Sequence, residues 1–137
     1  MVRKKIVASV LTMCLAASAF STTAQAENKK FSFRLTSTAS KESTRGTAKK
    51  SLDGDTYAYV TPNASESNLA VQGATVKFRV RDNAKKYATN VVTCNAYKKY
   101  KLSYLSGKAV GGATYRLYAN VTSTNEYPVK LGGRWCP

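Results

Sequence analysis

Beyond residue 27, apolar side chains recur at every second position rather than every third or fourth. That is the period of half-buried β-strands, not of helices. Over residues 31–37, Phe31, Phe33 and Leu35 alternate with Ser32, Arg34 and Thr36. Over 74–81, Val76, Phe78 and Val80 form one face, and Thr75, Lys77, Arg79 and Arg81 the other. Over 114–122, Tyr115, Leu117, Ala119 and Val121 oppose Thr114, Arg116, Tyr118 and Asn120. Residues 57–60, 87–96, 100–105 and 129–135 read as further strands. Between them stand turn formers: Asp53-Gly54, the strongest hairpin signal, then Thr61-Pro62-Asn63, Gly73, Gly107, Gly111-Gly112 and Gly132-Gly133. Residues 37–50 are polar and rich in Ser, Thr and Lys, which predicts a long, mobile surface loop. Six or seven short strands at roughly ten-residue spacing predict an all-β, single-domain antiparallel β-sandwich, with a small β-barrel as the alternative.

The first 26 residues follow a different pattern. Arg3, Lys4 and Lys5 precede an apolar run from Ile6 to Phe20, and Ala24-Gln25-Ala26 supplies small residues at the spacing a signal peptidase reads. The run is shorter than the roughly 20 apolar residues a spanning helix needs. Residues 1–26 are therefore expected to be a cleavable signal peptide, and residues 27–137 a single basic β-rich domain that is secreted.

Removing Arg3, Lys4 and Lys5 from 22 basic residues, against seven acids, leaves that domain with a net charge of +12. The excess is larger than solubility alone asks of a small domain. Cys14 leaves with the signal, so Cys94 and Cys136 remain as an even pair in an exported chain, and a disulfide between them is expected. No metal site is expected from two thiols without histidine.

Histidine is absent throughout, which removes the commonest general base and excludes a Ser-His-Asp arrangement. No phosphate-cradling glycine loop opens a helix, and no cofactor is implied. The chemistry on offer is cationic and aromatic. Lys77, Arg79 and Arg81 line one strand face at about 7 Å intervals. Arg34 and Arg116 occupy the outward phase of their own strands, and Lys98, Lys99 and Lys101 add charge at a strand end. Such a surface attracts polyanions. Tyr100 and Tyr118, expected outward beside Lys101 and Arg116, are the candidate stacking rings.

The run Tyr115-Arg-Leu117-Tyr-Ala119, followed by Gly133-Arg-Trp135 and Pro137, resembles the ends of a group of small exported β-rich proteins of Gram-positive bacteria. In size and export that group is similar to bacteriocin-like or envelope-associated proteins. The resemblance carries over no activity and no functional residue, and Cys136 beside Trp135 departs from its pattern.

These observations lead to the expectation of a secreted, non-enzymatic binding protein. Its partner would be an anionic cell-envelope polymer, a lipid surface or an acidic protein, with an antimicrobial role as a more specific form. Specific nucleic-acid binding and a transmembrane segment after cleavage are not expected. The alternative is an inhibitor or interaction module acting on an exported protein.

Overall fold

A computed structural model describes residues 26–69, 73–123 and 127–137, apart from the side chain of Arg45. The signal expected over residues 1–26 lies, but for Ala26, outside the described residues. Eight strands are described: β1 (Lys29–Leu35), β2 (Lys41–Lys49), β3 (Tyr57–Asn63), β4 (Val76–Asp82), β5 (Val92–Cys94), β6 (Tyr100–Ser103), β7 (Thr114–Val121) and β8 (Val129–Cys136). A 3-10 turn, Ala64–Glu66, follows β3. The strands form two antiparallel four-stranded sheets, ordered β1-β8-β3-β6 (sheet A) and β2-β7-β4-β5 (sheet B). The sheets pack face to face as a β-sandwich without closing into a barrel.

Alternation in sequence becomes the two faces of each sheet. Phe31, Phe33, Leu35, Val60, Leu102, Leu131 and Trp135 face inward from sheet A. Val76, Phe78, Val80, Tyr115, Leu117 and Val121 meet them from sheet B. Phe78 bridges the layers, its ring centre 5.7 Å from that of Phe31 and 6.3 Å from that of Phe33. Each large side chain taken out of water here contributes on the order of 1.5–3 kcal/mol.

Five expectations are corrected. Residues 37–50 are not simply a loop, because they contain β2, an edge strand paired to β7. Its inward residues are Ser43 and Ala48, too small or too polar to advertise a strand. Its register breaks between Glu42 and Thr47, where Gly46 takes a φ of 90°, a bulge that also discourages further strand pairing at the edge. Lys50, just beyond it, is buried, with its ammonium 5.2 Å from the Tyr104 ring centre.

Asp53-Gly54 is a turn but not a hairpin, since β2 and β3 belong to different sheets. Asp53 accepts the Asp55 N–H at 2.9 Å, and Gly54 supplies a φ of 77°. The span 87–96 is mostly irregular: only β5 is a strand, and Tyr87 and Thr89 form isolated bridges.

Thr61-Pro62-Asn63 and Gly132-Gly133 are not turns but strand interiors that face each other across β3 and β8. Pro62 is tolerated because β6 has already ended beside Val60, so only β8 flanks it. A Cβ on Gly133 would collide with the backbone of Thr61 and Pro62, and one on Gly132 would lie 2.8 Å from Glu66 Cβ. Close approach, rather than chain reversal, requires both glycines.

The Cys94–Cys136 disulfide is not formed, and both residues are free thiols. Strand phase explains why. Cys94 is fully buried in the core opposite Val76, whereas Cys136 follows inward-facing Trp135 and so turns to the outer side of sheet A, opposite Tyr59. Burial pushes both thiols upward in pKa, countered at Cys136 in part by Lys99.

Candidate functional site

Strand pairing gathers five of the sequence-derived candidates on the outer face of sheet B. On β4 and β7, Arg79 stands opposite Tyr118 and Arg81 opposite Arg116, with Lys77 beside Asn120. Their alternation with Val76, Phe78, Val80 and Leu117 fixes this outward phase. Tyr87 joins them through its bridge to Arg81. The groups interleave: the Arg81 guanidinium lies 4.2 Å from the Tyr118 ring centre and 5.0 Å from that of Tyr87, and the Arg79 guanidinium lies 3.8 Å from the Tyr87 ring. Each cation–π contact is worth roughly 0.5–2 kcal/mol, depending on desolvation. Together they hold two guanidinium groups beside one another against their mutual repulsion.

Among the described residues one acid, Glu42, pairs with a cation on this face. Glu42 of β2 pairs with Arg116 and also accepts the Tyr118 hydroxyl at 3.1 Å. Arg116 reaches Asn83 as well, at 3.4 Å. Burial first, and then the hydrogen bond to Glu42, raise the Tyr118 pKa. Tyr118 is thus outward in phase, but it lies beneath Arg81 and is only 7% exposed, so it positions charge rather than offering an open ring. Glu42 is fully engaged by Arg116 and Tyr118. Lys77, Arg79 and Arg81 have no acidic partner among the described residues. Small hollows border them, one of about 280 Å³ between Lys77, Arg79, Tyr118 and Asn120, and one of about 290 Å³ beside Arg81, Lys85, Lys86 and Tyr87.

The remaining candidates lie elsewhere. Tyr100, expected outward, points into the core with Leu102. Its hydroxyl accepts the N–H groups of Asn95 and Ala96 and donates to the Ala96 carbonyl, tying the loop before β6 to the core. The alternation Tyr100-Lys101-Leu102 already carries this phase. Lys98 rests over the Tyr100 ring at 5.3 Å. Arg34, Lys99 and Lys101 belong to the sheet A side, where Lys99 and Lys101 each sit 4.2 Å from the ring centres of Tyr59 and Tyr57.

Sequence reasoning missed a larger feature on that side. Antiparallel pairing aligns Lys30 with Arg134 and Arg134 with Thr61, and places Tyr59 beside Cys136. With Asn28, Glu66, Tyr97 and Lys99 these residues line a cleft of about 700 Å³ over β1, β8 and β3. Tyr59 donates its hydroxyl to Asp55 at 3.1 Å, and burial followed by that hydrogen bond raises its pKa. Outward phase was readable at Lys30 and Arg134 from their apolar neighbours. The signal that was lacking is the pairing of the first strand with the last.

Among the described residues no group of three or more Cys, Asp or Glu side chains converges to hold a metal ion. Comparison with protein-family models, curated proteins and solved structures finds no match.

Proposed function

We propose that this chain is an exported, non-enzymatic binding protein that associates with anionic cell-envelope surfaces, either a wall polymer or a lipid headgroup layer. One observation carries the reading: on the outer face of sheet B, Arg79 and Arg81 are held against Tyr87 and Tyr118, Lys77 extends their row, and none of the three has an acidic partner among the described residues. Fixed like charges on a rigid sheet focus a positive potential and draw counter-anions. Arginine supports this use because its planar fork meets carboxylate and phosphate oxygens two at a time. An antimicrobial, bacteriocin-like action is the more specific form of the same proposal, and it fits the C-terminal resemblance.

The test is retention on isolated envelope and on phosphatidylglycerol vesicles as salt is raised. Retention is expected at low ionic strength and should collapse toward 1 M salt, where the screening length is about 3 Å. The triple variant Lys77→Glu, Arg79→Glu, Arg81→Glu should lose it even at low salt. Undiminished retention of that variant overturns the proposal. Salt-insensitive, one-to-one capture of an exported protein would overturn it too, in favour of an interaction module.

A further inference from the structure

The cleft over sheet A differs chemically from the arginine–tyrosine ladder. Three cations reach it, Lys30, Lys99 and Arg134, and none of them has an ion-pair partner among the described residues. Around them stand neutral hydrogen-bonding groups, including Asn28, Asn63 and Thr61, and one carboxylate, Glu66. The cleft's volume of about 700 Å³ falls within the ~300–1,000 Å³ typical of ligand sites. A bare phosphate would use the cations and leave the amides and the carboxylate idle. A purely apolar ligand would desolvate all of them at a cost.

Strand order narrows the ligand further. β8 is an interior strand of sheet A, and its backbone N–H and C=O groups are committed to β1 and β3. Beside the cleft β3 has parted from β6, but Pro62 there brings no N–H, so an extended peptide finds no continuous ladder to join. Recognition must come from side chains, and the ligand must bring both a negative charge and several hydroxyls. The floor is shaped for close approach: Gly132 allows the 3-10 turn carrying Glu66 to sit directly on β8.

We propose that this cleft binds a saccharide unit bearing a carboxylate or a phosphate. In this assignment Lys30, Lys99 and Arg134 take the anionic substituent, while Asn28, Asn63 and Glu66 take ring hydroxyls. It rests on the reading of the chain as a binder of anionic envelope polymers, and it gives that reading a second, selective contact. Sheet B supplies adhesion by charge, and the cleft on the opposite face recognises a repeat unit. Cys136 lies in the cleft and Cys94 in the core, so the two thiols form a built-in reporter with its own internal control.

The experiment titrates the whole chain, after signal removal, with trigalacturonate and with glucose 1-phosphate, which separate the two sources of negative charge. The neutral methyl ester of trigalacturonate and inorganic phosphate serve as comparators. At least one acidic sugar is expected to bind about tenfold more tightly than both comparators. It should also slow alkylation of Cys136 under mildly alkaline conditions while Cys94 stays unreactive. Arg134→Ala should weaken that binding about tenfold. Lys99→Gln, on an exposed loop residue, should weaken it in the same direction and guards against a folding defect at β8. The Lys77→Glu, Arg79→Glu, Arg81→Glu variant should bind the sugar unchanged. Equal binding of acidic and neutral sugars, equal binding of inorganic phosphate, or indifference to both cleft variants overturns the assignment. Loss of sugar binding in the sheet B variant also overturns it, since charge alone would then account for the affinity. Envelope retention that survives any of these results leaves adhesion through sheet B standing without the cleft.

Discussion

Gly133→Ala isolates the tightest approach in the fold. Gly133 does not adopt a positive φ, so its backbone conformation suits alanine. Space is what is missing. An added Cβ would fall against the Thr61 carbonyl, 2.8 Å from Pro62 Cα and 3.0 Å from Phe31 Cε1. Carbon–carbon contacts are comfortable near 3.5 Å, so β3 and β8 would have to part by about 0.7 Å at Pro62. Overpacking of this kind costs roughly 1–3 kcal/mol. Here the obstacle is backbone of the neighbouring strand, so the pairs Thr61–Arg134 and Asn63–Gly132 are disturbed as well, each weakened hydrogen bond adding about 1 kcal/mol.

A total of about 3–5 kcal/mol is expected from these terms. For a folded unit of about 110 residues, the unfolding entropy converts this to a fall in Tm of about 13–22 °C. Urea unfolding followed by tryptophan fluorescence would measure it, since Trp135 lies two residues away in the same strand and is buried. The comparison is Gly54→Ala, where nothing lies within 4 Å of the added carbon but φ is 77°. That substitution should cost only the left-handed backbone penalty, about 1–2 kcal/mol. If Gly133→Ala unfolds at or above the midpoint of Gly54→Ala, the close β3–β8 approach is not what demands glycine.

Three further outcomes are expected. Tyr100→Phe removes the hydroxyl that serves Asn95, Ala96 and the Ala96 carbonyl; it should lower stability by about 1–3 kcal/mol and speed hydrogen exchange at the Asn95 and Ala96 amides, and unchanged exchange would refute the anchoring role. In the purified chain a thiol reagent should find Cys136 in the native state and Cys94 only after unfolding, whereas a chain without reactive thiols after unfolding would restore the disulfide. The Lys86 backbone N–H, and then Lys108, hold the Asp82 carboxyl below its usual pKa. A depressed native pKa stabilises the fold above the unfolded value of about 3.9, and that contribution fades as pH falls below it. Asp82→Asn should therefore flatten the stability profile below about pH 4, and an unaltered acid limb in urea titrations would count against it.

Strand phase was the most legible property. Val76, Phe78 and Val80 and the run Tyr115 to Val121 carry large apolar groups at strict alternation, so their inner and outer faces followed directly. Legibility failed where size or polarity hid the alternation. In β2 the inward residues include Ser43 and Ala48, which a pattern search passes over. Glycine and proline misled for a related reason: Gly132 and Gly133 answer steric demands from Glu66 and from β3, both distant in sequence, and Pro62 is tolerated where β6 has ended, so none of them marks a local turn. The same gap hid the sheet A cleft, whose cations come from β1, β8 and the loop before β6. The sheet B ladder was half visible. Lys77, Arg79 and Arg81 were evident, but the pairing of Glu42 with Arg116, and the place of Tyr87 between two guanidinium groups, required the register.

The register of β8 also dictates when this molecule can exist. The strand nearest the C-terminus is an interior member of sheet A, with β1 on one side from Lys29–Trp135 to Leu35–Val129 and β3 on the other. Until residues 129–136 are available, β1 and β3 have no neighbour to join them, and half of the sandwich is two fragments with apolar inner faces. Synthesis from the N-terminus delivers this keystone after every other described strand. If the chain is exported as proposed, sheet A cannot be completed before residues 129–136 have crossed, and it closes on the side where they emerge. A chain cut before residue 129 loses not one edge of the sheet but the strand that joins β1 to β3.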